Sequence, residues 1–192
     1  FCFSVLYDFN PWLCGSQGLF YELIIDETIK YIWENDIKAD YNYGWLLKED
    51  TLKNSFYFYL RSKLENLFCE NDIRIFTEFT DDKFNSRGYR PDIVIAKVDF
   101  DKDCKRYEDN VSELLCVIEL KYKAGFTASN DIYADYDKLK TYVTDLKIDC
   151  PLYMATIWEY EDKKTYWERK NAAWAKDRLT ELMLRMNQKQ KK

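Results

Sequence analysis

The sequence predicts an α/β domain, and three observations carry that prediction. Four short runs rich in β-branched and aromatic residues, "IRIFTEF" (73–79), "PDIVIAKV" (91–98), "ELLCVIELKYK" (113–123) and "PLYMATIWEY" (151–160), have the length and composition of strands. Longer stretches with apolar residues at three- and four-residue steps read as helices and fall before, between and after them. Two of the strands also carry charge, Asp92 in one and Glu119 with Lys121 in the other, where a buried strand should be Val, Ile and Leu. With 192 residues, 47% of them hydrophobic, the chain has material for one domain with a proper core. It is read as a single domain, 1–192, with an N-terminal arm and helix over 1–48, a core over 49–158, and a C-terminal helix and basic tail over 159–192.

Taken in order, "FCFSVLYDFNPWLCG" (1–15) is apolar and ends in turn signals, an arm laid on the core. From Gly18 to Glu34 the apolar positions Leu19, Leu23, Ile24, Ile29, Tyr31 and Ile32 leave acids on the other face, which predicts a helix that "ADYNYG" breaks. Leu52, Phe56, Tyr59, Leu60, Leu64, Leu67 and Phe68 predict a second helix with acids in its first turn. The strands 73–79, 91–98 and 113–123 follow, separated by the turn "DDKFNSRG" and the polar loop "DFDKDCKRYEDN". That loop imitates the opening of an EF-hand, but Cys104 stands where Gly is needed and Asn110 where Glu is needed, so it is read as solvated. "ASNDIYADYDKLKTYVTDL" is a helix, 151–160 a strand, and "NAAWAKDRLTELMLRMN" (171–187) a last helix before "QKQKK". Residues 49–158 are thus an αβββαβ unit.

Composition removes several chemistries. There is no histidine, which excludes Ser-His-Asp and Cys-His catalysis, histidine-based nuclease mechanisms and most zinc enzymes. The six cysteines include no C-x-x-C pair and read as free thiols of a reducing compartment, the cytoplasm. Neither glycine-rich nucleotide loop occurs, and no apolar run is long enough to span a membrane. The chain opens at Phe1 without Met, which leaves open an excised piece or a removed leader. The net charge of −5 is uneven: residues 1–50 hold 9 acids and 3 bases, whereas 161–192 hold 5 acids and 10 bases. A polyanion would therefore meet a local patch.

Side chains alternate along a strand, so Val117, Glu119 and Lys121 share one face, about 7 Å apart at every second residue. Two carboxylates with a backbone carbonyl and water suit octahedral Mg²⁺, with Mn²⁺ as a substitute, and a lysine beside such an ion can serve an attacking water. Taken singly, Asp92 also fits a turn after Pro91, and Glu119 with Lys121 an ion pair on a half-exposed strand.

Pro91-Asp92 followed, after a gap of 26 residues, by Glu119-Leu120-Lys121 resembles the PD-(D/E)XK, or restriction-endonuclease-like, nuclease superfamily. The resemblance covers 49–158. It implies a mixed central sheet flanked by helices, with the extra N- and C-terminal helices added to it. It implies that Asp92, Glu119 and the Leu120 carbonyl bind Mg²⁺, that Lys121 serves the water, and that the substrate is nucleic acid, DNA foremost. A homodimer is expected on the same ground. Glu49 sits where the family often adds an acid from the first core helix; Glu65 and Glu78 compete for that role, and Lys123 is a further candidate. The alternative is a catalytically silent endonuclease-like domain that binds nucleic acid or protein.

Overall fold

The computed structural model describes residues 17–102, 104–124, 129–159, 173–175 and 178–185. The expected arm (1–15), Asp103 and the tail "QKQKK" lie outside the described residues. Helix α1 (Gln17–Tyr31) runs on through one π turn (Ile32–Ile37) into the short helix α2 (Lys38–Asn42). The Tyr31 carbonyl at its start also accepts from the Asn35 side-chain amide at 2.8 Å, and the widened turn buries Ile32, Trp33 and Ile37. "ADYN" is therefore helical. The break falls two residues later, at Gly44, whose φ of 75° is ordinary only for glycine. A Cβ there would touch nothing within 4 Å, so Gly44→Ala is expected to cost about 1 kcal/mol by backbone strain alone, measured by denaturant unfolding.

Helix α3 (Glu49–Glu70) follows the predicted periodicity, and Leu52, Phe56, Leu60, Leu64 and Phe68 form its buried stripe. Strand β1 (Ile73–Thr77), the short helix α4 (Asp82–Asn85), β2 (Ile93–Val98), β3 (Val111–Lys123), helix α5 (Ser129–Thr144), β4 (Leu152–Trp158) and β5 (Leu179–Arg185) complete the described chain. The polar loop after β2 ends in a 3₁₀ turn, Tyr107–Asn110.

The strands form one sheet in the order β1-β2-β3-β4-β5. The first two pairings are antiparallel and the last two parallel, so the sheet is mixed. β3 and β4 carry apolar side chains on both faces because helices cover both. On one face Cys116, Ile118, Leu120, Tyr122, Tyr153 and Ile157 pack with α1 and α3. On the other Val94, Val117, Leu152 and Met154 pack with Phe84 of α4 and with Leu139, Tyr142 and Val143 of α5.

The C-terminal segment corrects the reading of a last helix: Leu179–Arg185 is a strand paired in parallel with β4, from Leu152↔Leu179 to Trp158↔Arg185. Leu, Glu, Met and Arg favour a helix by intrinsic propensity, but the open edge of β4 offers a full ladder of backbone partners and outweighs it.

Candidate active site

The site grows from a defect in the sheet. β2 and β3 pair from Val98↔Val111 to Ile93↔Ile118, and the regular continuation would set Pro91 opposite Leu120. Pro91 has no N–H to give, and its carbonyl instead accepts from Phe79 at 3.2 Å, as the Asp92 carbonyl accepts from Glu78 at 3.1 Å. The start of β2 thus leans toward β1 and away from β3. β3 itself continues five residues beyond the last pair with β2, held on its other side by β4 through Lys123↔Trp158. A gap opens between the halves of the sheet.

Asp92 fills the top of that gap. Its Oδ2 accepts the Leu120 N–H at 2.9 Å, replacing the lost ladder bond, and its Oδ1 lies 3.6 Å from Lys53 Nζ of α3. A strand residue points its N–H and C=O to the same side, so the Leu120 carbonyl also faces the gap.

Glu119 lies on the α5 side of β3 and is 1% exposed. Tyr142 donates to its Oε1 at 2.8 Å, and Lys138 donates to its Oε2 at 2.8 Å while also reaching the Arg90 carbonyl at 3.0 Å. Burial is the main reason its carboxyl is pushed up to about 8; Lys138 works against that shift and neighbouring Asp92 adds to it. Tyr142→Phe leaves Oε1 without a donor inside the core and is expected to cost about 1–3 kcal/mol of unfolding free energy, read by denaturant titration.

Lys121, two residues on, stands between Glu49 Oε2 at 3.1 Å and Asp135 Oδ2 at 3.0 Å. Although partial burial opposes it, this pairing raises the ammonium to about 12. Burial in turn lifts the Glu49 carboxyl despite Lys121 beside it. Asp135 and Lys138 sit three residues apart on α5, so one helix face serves both β3 residues.

Asp92, Glu119, Leu120, Lys121 and Glu49 therefore meet at one end of the sheet. Glu78 reaches the margin, where it pairs with Lys53 from a left-handed backbone position of φ 51°. Lys123 is buried further along β3, its Nζ 4.5 Å from the centre of the Trp158 ring. Glu65 is not part of the group: it is exposed sixteen residues beyond Glu49 along α3, about 24 Å of helix, and lines a separate cleft with Tyr57, Arg61, Cys69 and Arg74. Sequence reasoning missed Lys53, Asp135, Lys138 and Tyr142. The four-residue step from Lys138 to Tyr142, in a helix next in sequence to the charged strand, is the signal that could have found two of them.

The charges do not balance. Among the described residues, carboxylates of Glu49, Glu78, Asp92, Glu119 and Asp135 face ammonium groups of Lys53, Lys121 and Lys138 in these pairs, which leaves the paired groups two positive charges short if all are ionised. Among the described residues no three acids or cysteines are grouped so as to hold a metal ion by themselves. A hard divalent ion here would draw on Asp92, Glu119, the Leu120 carbonyl and water, and this donor set matches what Mg²⁺ takes, namely one or two carboxylates with several waters kept. No family model, no curated protein and no solved structure matches the chain.

Proposed function

We propose that the chain is a metal-dependent nuclease of the PD-(D/E)XK type, with a restriction-endonuclease-like core formed by α3, β1, β2, β3, α5 and β4, acting on nucleic acid and on DNA foremost. One observation carries this reading: at the split between β2 and β3, Asp92 reaches across to the Leu120 N–H, and Glu119 and Lys121 flank that residue in β3, in a cluster where five carboxyl groups face three ammonium groups.

Asp92, Glu119 and the Leu120 carbonyl would hold Mg²⁺, with Mn²⁺ as substitute. When bound, such an ion polarises a phosphoryl oxygen and lowers the pKa of its water. The other groups belong to the chain. Lys121, raised to about 12 by its two acids, keeps its proton at neutral pH. It therefore serves as a fixed donor that orients water and stabilises charge developing on the phosphoryl oxygens, not as a base. Glu49 and Asp135 hold that ammonium in place from two different helices. Lys138 and Tyr142 fix the Glu119 carboxylate, and Lys53 fixes Asp92. Glu78 positions Lys53; Lys123 has no direct part in the step, and Glu65 is left out.

The test is cleavage of supercoiled plasmid and of labelled single-stranded DNA and RNA with Mg²⁺, Mn²⁺ or EDTA, with Asp92→Ala and Lys121→Ala alongside. Metal-dependent cutting lost in both folded variants is expected. The second reading, a silent binding module, is favoured by one feature: the carboxylates of Asp92 and Glu119 each already have a lysine partner. Absence of cutting on every substrate, together with no Mn²⁺ uptake in calorimetry, would leave that module as the better account.

A further inference from the structure

The loop from Tyr43 to Lys48 enters α3 directly before Glu49, and it presents Tyr43, Trp45 and Leu47 to solvent at 79%, 73% and 74% exposure. Three large apolar side chains exposed at alternate positions of one short loop are costly to keep in water without a use. The loop is not slack. The Tyr43, Gly44 and Trp45 N–H groups donate to carbonyls of Ala39, Tyr41 and Asp40, and those of Leu47 and Lys48 donate to the Thr51 hydroxyl. Leu46, between the exposed residues, is buried, and its carbonyl accepts the Tyr122 hydroxyl at 3.0 Å. Tyr122 adjoins Lys121 in β3, and Glu49 binds Lys121, so the loop is fastened on both sides of the candidate lysine. Trp45 precedes Glu49 by four residues, a reach of about 14 Å at most.

We propose that Tyr43 and Trp45 form a stacking platform that holds unpaired bases of single-stranded nucleic acid beside the site, an inference that rests on the nuclease reading above. The charge balance favours stacking over phosphate contacts. Among the described residues of the cluster five acids outnumber three lysines, each of which is already paired with a carboxylate, whereas a flat aromatic face accepts any base. A duplex keeps its bases stacked inside and has none to give; an exposed single strand or a frayed end does.

The platform is tested by fluorescence anisotropy of labelled 20-mers, as single-stranded DNA, single-stranded RNA and duplex DNA, in EDTA so that no strand is cut. The proteins are the wild type, Trp45→Ala, Trp45→Phe and Lys121→Ala, each checked by thermal melting. Trp45→Ala is expected to weaken single-strand binding by about 5- to 100-fold, the worth of one stacked base. Trp45→Phe should restore most of it. The DNA and RNA arms show which strand is taken. Equal binding by Trp45→Ala and wild type, a duplex preference, or a change in oligomeric mass of Trp45→Ala in place of a change in binding overturns the platform. Trp45-dependent binding without metal-dependent cutting keeps the platform and removes the nuclease; cutting that ignores Trp45→Ala does the reverse.

Discussion

The wild-type protein is expected to lose thermal stability as pH rises from about 5 to about 8, and Glu119→Gln to show a much flatter profile. An unfolded chain leaves a glutamate near its ordinary value of 4.5, whereas burial first, with Asp92 adding and Lys138 opposing, pushes the folded Glu119 up to about 8. The folded state then holds a proton that the unfolded state gives up, so stability is complete below the unfolded value and drains away until the folded value is passed. Three to four units correspond to about 5 kcal/mol at most. Glu49, whose carboxyl is also lifted by burial, adds in the same direction. At pH 8, Mg²⁺ that binds only the folded protein should restore stability to the wild type, by about 2.7 kcal/mol at a hundredfold excess over its Kd, and do nothing for Glu119→Gln. Melting curves from pH 5 to 9 with and without Mg²⁺ decide this, and identical slopes in the two proteins would remove the buried carboxyl as their cause.

Lys121→Ala is expected to have two separable effects. Removing the ammonium strands Glu49 and Asp135 against each other in a half-buried place, at a cost of about 2–3 kcal/mol. Adding Asp135→Asn to Lys121→Ala should recover much of that stability, since one of the two stranded charges is gone. Cleavage should not recover, because the donor itself is missing, and a loss of at least about a hundredfold is expected for such a group. Urea unfolding and plasmid cutting of the single and double variants form the cycle. Cleavage that returned with stability would make Lys121 a structural ion-pair member and nothing more.

The sheet's first four strands were legible because β-branched runs of strand length leave little choice, and α3 because its apolar stripe repeats without interruption. The fifth strand was hidden: "LTELMLR" is built from helix formers, and only the edge of β4, distant in sequence, makes it extended. The continued first helix was missed because a π turn has no periodic signature, and one extra residue per turn shifts Ile37 back into the core. Within the site, Asp92, Glu119 and Lys121 stood out as charges in apolar strands. Their partners did not, because Lys53, Asp135 and Lys138 look like ordinary solvated helix residues until the fold turns them inward, where side-chain exposure drops to 15–20%.

The strand order also bears on how the domain is made. Position in the sheet equals position in the chain, so a polypeptide leaving the ribosome N-terminus first can lay each strand against one already present. The β1-β2-β3 meander can close once Lys123 has emerged, but at that moment Glu119 has neither Lys138 nor Tyr142, both of which are still to be synthesised. Until α5 arrives, a glutamate lies on an uncovered apolar face with only water around it. The two groups that satisfy this carboxylate thus both come from the one helix that covers it, so its burial and its pairing arrive together.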